Sequence, residues 1–322
     1  MTEDTSPNMG AMFGGQVNRG LFDLPMGEIG DMQVEGQGDA DIVVVGAPSA
    51  TPYSSVGPYC ADAPKAIRSA FGWPGVLQHH DFDLGGKILL EQTSAIDWGD
   101  LPYSETDFAN NRSHIRHCVS TILAHGAVPI VIGGDDSIPI PVFQAYEQHA
   151  PITILQLDAH IDWRDEVAGE RFGLSSNMRR ASEMKWVDRL IQVGARGLGS
   201  ARPTDYADAI KWGVKFFPMI DLIDSNMDEM LLGIEPGSRV FITLDIDVMD
   251  PAVAPSVIGP APGGFDYWRL IKVLTRVAHR ARIAGFNLVE FMPANDVGGR
   301  GALVAARVLA VMMGLISRQR HQ

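Results

Sequence analysis

Short, uninterrupted runs of apolar, mostly β-branched residues recur along this chain and limit its fold more than any other feature. Residues 41–46 (DIVVVG), 128–132 (VPIVI) and 152–157 (ITILQL) are examples. Such runs are typical of parallel strands buried on both faces, because half-buried strands alternate apolar and polar residues. Segments with helical spacing, such as residues 107–125 and 266–284, lie between the runs. The alternation predicts a mostly parallel sheet covered by helices on both faces.

The same patterns predict the individual elements. Strands are expected at residues 41–46, 87–90, 93–97, 128–132, 152–157, 189–193, 214–217, 239–244 and 286–291. Helices are expected at residues 64–71, 107–125, 141–149, 227–234, 266–284 and 303–318.

The chain has 322 residues and no internal repeat or low-complexity linker, so residues 39–322 are expected to form a single domain. Residues 1–38 are rich in Gly, Met and acidic residues and follow no helical or strand period. We interpret them as an N-terminal arm that is either mobile or packed on a neighbouring subunit.

Composition argues against several classes of protein. The net charge is −13, whereas a nucleic-acid surface needs clustered Lys and Arg. No signal peptide and no apolar run of membrane-spanning length are visible, so no membrane partner is expected. Cys60 and Cys118 stand in unrelated contexts, which fits a reducing compartment. These features predict a cytoplasmic protein.

Acidic residues follow three of the predicted strands. The carboxyl ends of parallel strands meet at one edge of a sheet, and residues two apart in an extended segment point to the same side. The side chains expected to converge are Asp136; Asp158, His160 and Asp162; and Asp245 and Asp247.

Two interpretations of these acids are open. Any one motif alone is best explained as solvated loop acids or helix N-caps. All three together favour a pair of divalent metal ions about 4 Å apart, because several converging carboxylates need positive charge to neutralise them.

The motifs resemble those of the ureohydrolases, the arginase and agmatinase superfamily. The resemblance extends from about Ala40 to the C-terminus. It rests on residues 133–137 (GGDDS), 158–162 (DAHID), 245–264 (beginning DIDVMDP) and 285–296 (GFNLVEFMPAND). It implies a three-layer α/β/α sandwich with a central, mostly parallel eight-stranded sheet, assembly into trimers or hexamers, and hydrolysis of a guanidino group.

The resemblance also implies roles for individual residues. Two divalent ions, Mn²⁺ or Ni²⁺, would be bridged by Asp158 and Asp245 and completed by the remaining ligands. The full ligand set would be Asp136, Asp158, His160, Asp162, Asp245 and Asp247. Glu290 would hold the substrate guanidinium beside the metals.

The chain departs from the family pattern at three places. Asp136 stands where the family motif GGDHS has a His ligand, so this position is expected to bind metal less readily. In the substrate loop, made of Leu174, Ser175, Ser176 and Asn177, Leu174 stands where a His is usual. Leucine cannot transfer a proton, and losing such a group slows a reaction by ~10²–10⁴-fold. The loop at residues 49–57 (SATPYSSVG) lacks the usual Asp and Arg.

These changes support two hypotheses. The chain could be an active amidinohydrolase for a bulkier or more apolar substrate, such as an N-alkylated guanidine or a biguanide like metformin. It could instead be a catalytically weak or silent subunit that assembles with an active paralogue. A purely structural metal-binding protein is a third, less favoured reading. We expect a subunit of a homo- or hetero-oligomeric, ureohydrolase-type enzyme that binds fewer than two metals and turns over arginine or agmatine slowly when alone.

Overall fold

The computed structural model describes residues 20–71, 75–199, 201–224 and 227–321. Its main sheet has eight strands in the order β4-β3-β5-β10-β9-β6-β7-β8, and all neighbouring strands are parallel. A separate two-stranded antiparallel hairpin, β1-β2, precedes it. The strands are β1 (Gln33–Val34), β2 (Gly38–Asp39), β3 (Ile42–Ala47), β4 (Ala95–Asp100), β5 (Val128–Gly133), β6 (Ile152–Leu157), β7 (Val187–Val193), β8 (Lys215–Phe217), β9 (Arg239–Asp245) and β10 (Arg282–Val289).

Helices occupy the connections between the strands. The α-helices are α1 (Ala63–Ser69), α2 (Phe108–Ala124), α3 (Pro139–Gln144), α4 (Asn177–Ala181), α5 (Pro203–Trp212), α6 (Met219–Leu222), α7 (Asp228–Leu232), α8 (Tyr267–Arg280) and α9 (Arg300–Arg320). Short 3₁₀ helices lie at Leu21–Asp23, Val76–Gln78, Leu174–Ser176, Ile246–Val248 and Pro293–Asn295.

Two hydrophobic cores, one on each face of the sheet, establish the three layers. Along β3, Ile42 and Val44 belong to one core, which also contains buried residues of α1, α8 and α9. Val43 and Val45 belong to the other core, together with residues of α2 and α3. Successive side chains of a strand point to opposite faces, so a strand buried on both sides must be apolar at every position. The predicted α/β/α sandwich with an eight-stranded sheet is therefore confirmed.

Helix α9 is long and apolar enough to cross a membrane by length and composition. However, 78% of its most apolar window is buried inside the protein, as expected for the core helix of a folded domain.

Four predicted elements differ from the structure by more than three residues at an end, or are absent. The helix predicted at residues 141–149 spans Pro139–Gln144 instead. Residues 87–90 form no strand; Ile88 is buried in the core that contains α9, and the backbone N–H of Leu90 donates to Ser317 Oγ at 3.0 Å. The helix predicted at residues 266–284 ends at Arg280, because Ala281 is extended and the chain pairs with β9 from Arg282 onward. Consequently β10 begins before the predicted strand at 286–291 and ends at Val289.

Residues 20–38 of the predicted N-terminal arm pack against their own chain. Leu21, Phe22 and Leu24 are buried in the core, and the backbone N–H of Leu21 donates to Asp97 Oδ2 at 2.7 Å. Residues 1–19 lie outside the described residues, so packing of the arm on a neighbouring subunit stays a prediction.

Candidate active site

Four adjacent strands in the middle of the sheet, β5, β10, β9 and β6, carry acidic residues at their carboxyl ends. Asp136 follows β5, Glu290 follows β10, Asp245 ends β9 and Asp158 follows β6. These carboxylates come from distant parts of the sequence and meet because the parallel strands all end at the same edge. Each is almost completely buried.

The first group of possible metal ligands consists of Asp158, His160 and Asp247. His160 Nδ1 lies 2.9 Å from Asp247 Oδ2 and 3.4 Å from Asp158 Oδ1. Burial alone would lower the pKa of His160, but hydrogen bonds and charge from the two carboxylates raise it to about 11. The backbone N–H of Ala159 donates to the other Asp247 oxygen at 3.0 Å, which fixes that side chain.

The second group consists of Asp136, Asp158 and Asp162. Two buried side-chain amides donate hydrogen bonds to its carboxylate oxygens. Gln156 Nε2 donates to Asp158 Oδ2 at 2.6 Å and to Asp162 Oδ2 at 2.7 Å, and Asn177 Nδ2 donates to Asp136 Oδ2. Asp162 has a positive φ of 44°, a conformation that few non-glycine residues adopt and that is often found at functional sites.

Electrostatics and spacing both test whether these residues fit a divalent ion. Burial, followed by repulsion from neighbouring carboxylates, raises the pKa of Asp136, Asp158 and Asp245 well above the usual range. Within each group the candidate ligand atoms lie within 4.8 Å of one another. Atoms bound to one ion at about 2.0–2.2 Å are up to about 4.4 Å apart. Both groups are therefore close to the spacing that one ion needs, but in the second group the Gln156 and Asn177 amides already donate to the carboxylate oxygens.

Glu290 lies at the end of β10 with a positive φ of 66°. Tyr59 Oη donates to both of its carboxylate oxygens, at 2.7 and 2.6 Å, and the backbone N–H of Asp136 donates to Oε1 at 2.8 Å. Burial raises the pKa of Glu290 to about 8. The carboxylate is thus held in one orientation by a side chain from the loop after β3.

A cavity of about 240 Å³ opens over this cluster. Its lining includes all of the predicted site residues except Asp158, Ser176 and Asn177. Of the predicted substrate loop, Leu174 and Ser175 face the cavity, whereas Ser176 and Asn177 are fully buried. Arg164 also lines the cavity and forms an ion pair with Asp205 at 2.9 Å.

Sequence reasoning missed two residues that contact the cluster, Gln156 and Tyr59, and one that supports it, Gln192. Gln156 is a polar residue within an apolar strand, and that contrast could have marked it. Gln192, at the same level of β7, donates through Nε2 to Gln156 Oε1 and extends the amide network. Tyr59 gave no signal, because it contacts Glu290 across 231 residues of sequence.

Comparison with known proteins places the chain in a family. The Arginase family model matches residues 40–314. The chain belongs to the arginase family. Among its relatives, arginase 1 (mitochondrial) of Arabidopsis thaliana is 31% identical over 269 residues, which cover 80% of this chain and 76% of that protein. Agmatinase (mitochondrial) of Gallus gallus is 30% identical over 234 residues, which cover 71% of this chain and 68% of that protein.

A solved structure shares the fold over most of the chain. The proclavaminate amidino hydrolase of Streptomyces clavuligerus superimposes with a TM-score of 0.79 at 27% identity, and the match covers 94% of this chain and 97% of that one. The similarity therefore spans the sheet, both helical layers and the strand ends that carry the acidic cluster.

Proposed function

We propose that this arginase-family chain is a subunit of an enzyme that hydrolyses a guanidino C–N bond. In that reaction an alkylguanidinium, RNH–C(NH₂)₂⁺, and water give RNH₃⁺ and urea. The observation that carries the proposal is Glu290, a buried carboxylate that lines the same cavity as His160, Asp245 and Asp247. A carboxylate in a site shielded from water is the acceptor that a planar guanidinium requires.

The chain's own residues would bind and orient the substrate. Glu290 would accept an N–H of the guanidinium, while Tyr59 and the Asp136 N–H hold the carboxylate still. Asp158, His160 and Asp247 would hold a divalent ion, Mn²⁺ or Ni²⁺. When bound, such an ion would lower the pKa of water toward neutrality and so supply the nucleophile.

The cavity supports a small substrate with an apolar substituent. Its volume is about 240 Å³, and Leu174, Ile258 and Trp163 form part of its wall. Leu174 carries no proton, so the leaving amine gains no help from this position. An N-alkylated guanidine or a biguanide such as metformin is the class that we propose.

Urea release tests this function directly. The Mn²⁺- or Ni²⁺-loaded chain is incubated with a panel of guanidines and biguanides. Urea from the guanidines, guanylurea from biguanides that lose their amine, and the released amines are quantified. We expect release from at least one N-alkylated compound and a loss of at least 100-fold in Glu290→Gln. A matched control, Glu91→Gln, changes a highly exposed side chain and should match wild type. Equal rates in wild type and Glu290→Gln would refute the assigned role.

A second candidate is a catalytically weak or silent subunit that assembles with an active paralogue. Two observations favour it: Asp136 is hydrogen-bonded by the Asn177 amide, and Leu174 faces the cavity in place of a proton carrier. Under this proposal the chain alone releases little urea, and co-expression with a paralogue carrying the GGDHS motif yields an active trimer or hexamer. Urea release is compared between the isolated chain and the purified complex, whose size is measured by light scattering. Full activity of the isolated chain excludes the second candidate.

A further inference from the structure

The Asp136 side chain is partnered by an amide rather than by a basic group. Asn177, the first residue of α4, is fully buried, and its Nδ2 donates to Asp136 Oδ2. The same nitrogen lies 3.0 Å from the backbone oxygen of Asp136 and 3.3 Å from that of Leu174. It also lies 3.4 Å from Asp162 Oδ2. The Asn177 nitrogen is therefore surrounded by oxygen atoms.

This environment determines which way the amide faces. An NH₂ group has two hydrogens to donate, whereas an amide oxygen only accepts. Rotating the Asn177 amide by half a turn would direct its oxygen at two backbone carbonyls and two carboxylates, all of which repel it. In the observed orientation Oδ1 is buried with no hydrogen-bond partner. In this orientation the Asn177 N–H groups donate to Asp136, and the Asn177 Oδ1 atom is left without a hydrogen-bond partner.

The oxygens that Asn177 contacts are also those that a metal would need. Asp136 and Asp162 belong, with Asp158, to the second group of possible ligands. Gln156 Nε2 donates to Asp158 Oδ2 and Asp162 Oδ2 in the same group. Two amides therefore bridge all three carboxylates. In the first group the bridging residue is His160, whose imidazole can itself bind a divalent ion once deprotonated.

We propose that Asn177 closes the Asp136 position to divalent cations, so that the chain binds one ion, through Asp158, His160 and Asp247. An ion about 2.1 Å from the Asp136 and Asp162 oxygens would lie against the N–H hydrogens of Asn177, which carry partial positive charge. Binding there requires the amide to leave, and its backbone acceptors at Asp136 and Leu174 would then lose their donor. The proposal concerns stoichiometry and is independent of which guanidino compound is hydrolysed.

The number of metal ions bound per chain tests whether Asn177 closes the Asp136 position. Metal-free protein is dialysed to equilibrium against Mn²⁺, and bound ion per chain is quantified by mass spectrometry of the metal. We expect about one ion in wild type and about two in Asn177→Ala and in the nearly isosteric Asn177→Asp, with the second ion bound at least tenfold tighter than in wild type. Asn287→Ala is a matched control: Asn287 is also fully buried, with one Nδ2 donor contact and an unpartnered Oδ1, but it contacts Thr243 rather than a carboxylate. It should bind one ion.

Each alternative result overturns the proposal. Two ions of similar affinity in wild type show that the position is open, and this measurement needs no variant to fold. Two ions in wild type and one in Asn177→Ala show that Asn177 supports the second ion. One ion in every protein shows that another residue excludes it. Urea release is assayed separately. A chain that binds one ion without hydrolysing guanidines contradicts the first candidate function, favours the silent subunit and leaves this inference intact.

Discussion

Tyr59→Phe removes only the hydroxyl group that fixes Glu290. Among the described residues, the hydrogen-bond donors to Glu290 are this hydroxyl and the Asp136 N–H. Above pH 8, where Glu290 is charged, a hydrogen bond to this acceptor contributes about 1.5–3 kcal/mol. Unfolding entropy is about 2.1 cal/mol/K per residue, or about 0.7 kcal/mol/K for a chain of 322 residues. The substitution should therefore lower Tm by about 2–4 °C.

The same loss should reduce catalysis. A guanidinium held by a mobile Glu290 loses its fixed position beside the cluster, and 1.4 kcal/mol corresponds to a factor of ten. We expect kcat/KM for the hydrolysed guanidine to fall by about 10–100-fold. Differential scanning fluorimetry and urea release are the two assays.

Tyr146→Phe is the control for this prediction. Its buried hydroxyl donates to the backbone oxygen of Ala284 at 2.8 Å and has no contact with the cluster. The control should lower Tm and leave kcat/KM unchanged. Unaltered Tm and unaltered kcat/KM in Tyr59→Phe would refute the role given to its hydroxyl.

Three further predictions concern ion pairs and metal. Arg68→Met leaves the fully buried Asp97 without its bidentate partner at 2.8 and 2.9 Å. The free energy of unfolding from chemical denaturation should fall by about 3–5 kcal/mol. A fall below about 1 kcal/mol contradicts this. Burial would raise the pKa of Asp81, but hydrogen bonding and charge from Arg307, together with hydrogen bonds from the Leu84 and Asp83 backbone, lower it overall. These contacts therefore stabilise the fold above the unfolded-state pKa of about 3.8, and their contribution is lost as pH falls through the lower folded value. Asp81→Asn should therefore flatten the fall in Tm at acidic pH, and an unchanged pH profile argues against the pair. Chelation of the metal should lower the Tm of wild type, and added Mn²⁺ should restore it, since ligands that bind the native state stabilise it. Added Mn²⁺ should not raise the Tm of His160→Ala. A rise in this variant would place the ion at another site.

The central strands could be predicted from sequence because each is buried on both faces. Residues 152–157 were predicted as a strand, and β6 has those bounds. The run at 87–90 carried the same signal, but it packs beside α9 without pairing to the sheet. A short apolar run indicates burial alone, and whether a helix or a sheet covers it depends on the tertiary structure.

The candidate site divides in a similar way. Convergence of Asp158, Asp245 and Glu290 follows from parallel topology, because strand ends meet whatever the connecting loops do. The partner of each carboxylate depends on loops whose paths the sequence does not specify. Tyr59 and Asn177 reach the cluster from such segments, so their hydrogen bonds to Glu290 and Asp136 were visible only in the structure.

Hydrolysis in water enriched in ¹⁸O tests the account most directly. The metal-loaded chain, alone and assembled with an active paralogue, is given an N-alkylated guanidine, and the urea is analysed by mass spectrometry. The account predicts urea with one ¹⁸O atom and an amine with none. Where the activity comes from this chain's own site, Glu290→Gln should form the urea at least 100-fold more slowly. If neither preparation forms labelled urea, or if the variant forms it at the wild-type rate in the isolated chain, Glu290 and the acidic cluster are not a guanidine-hydrolysing site.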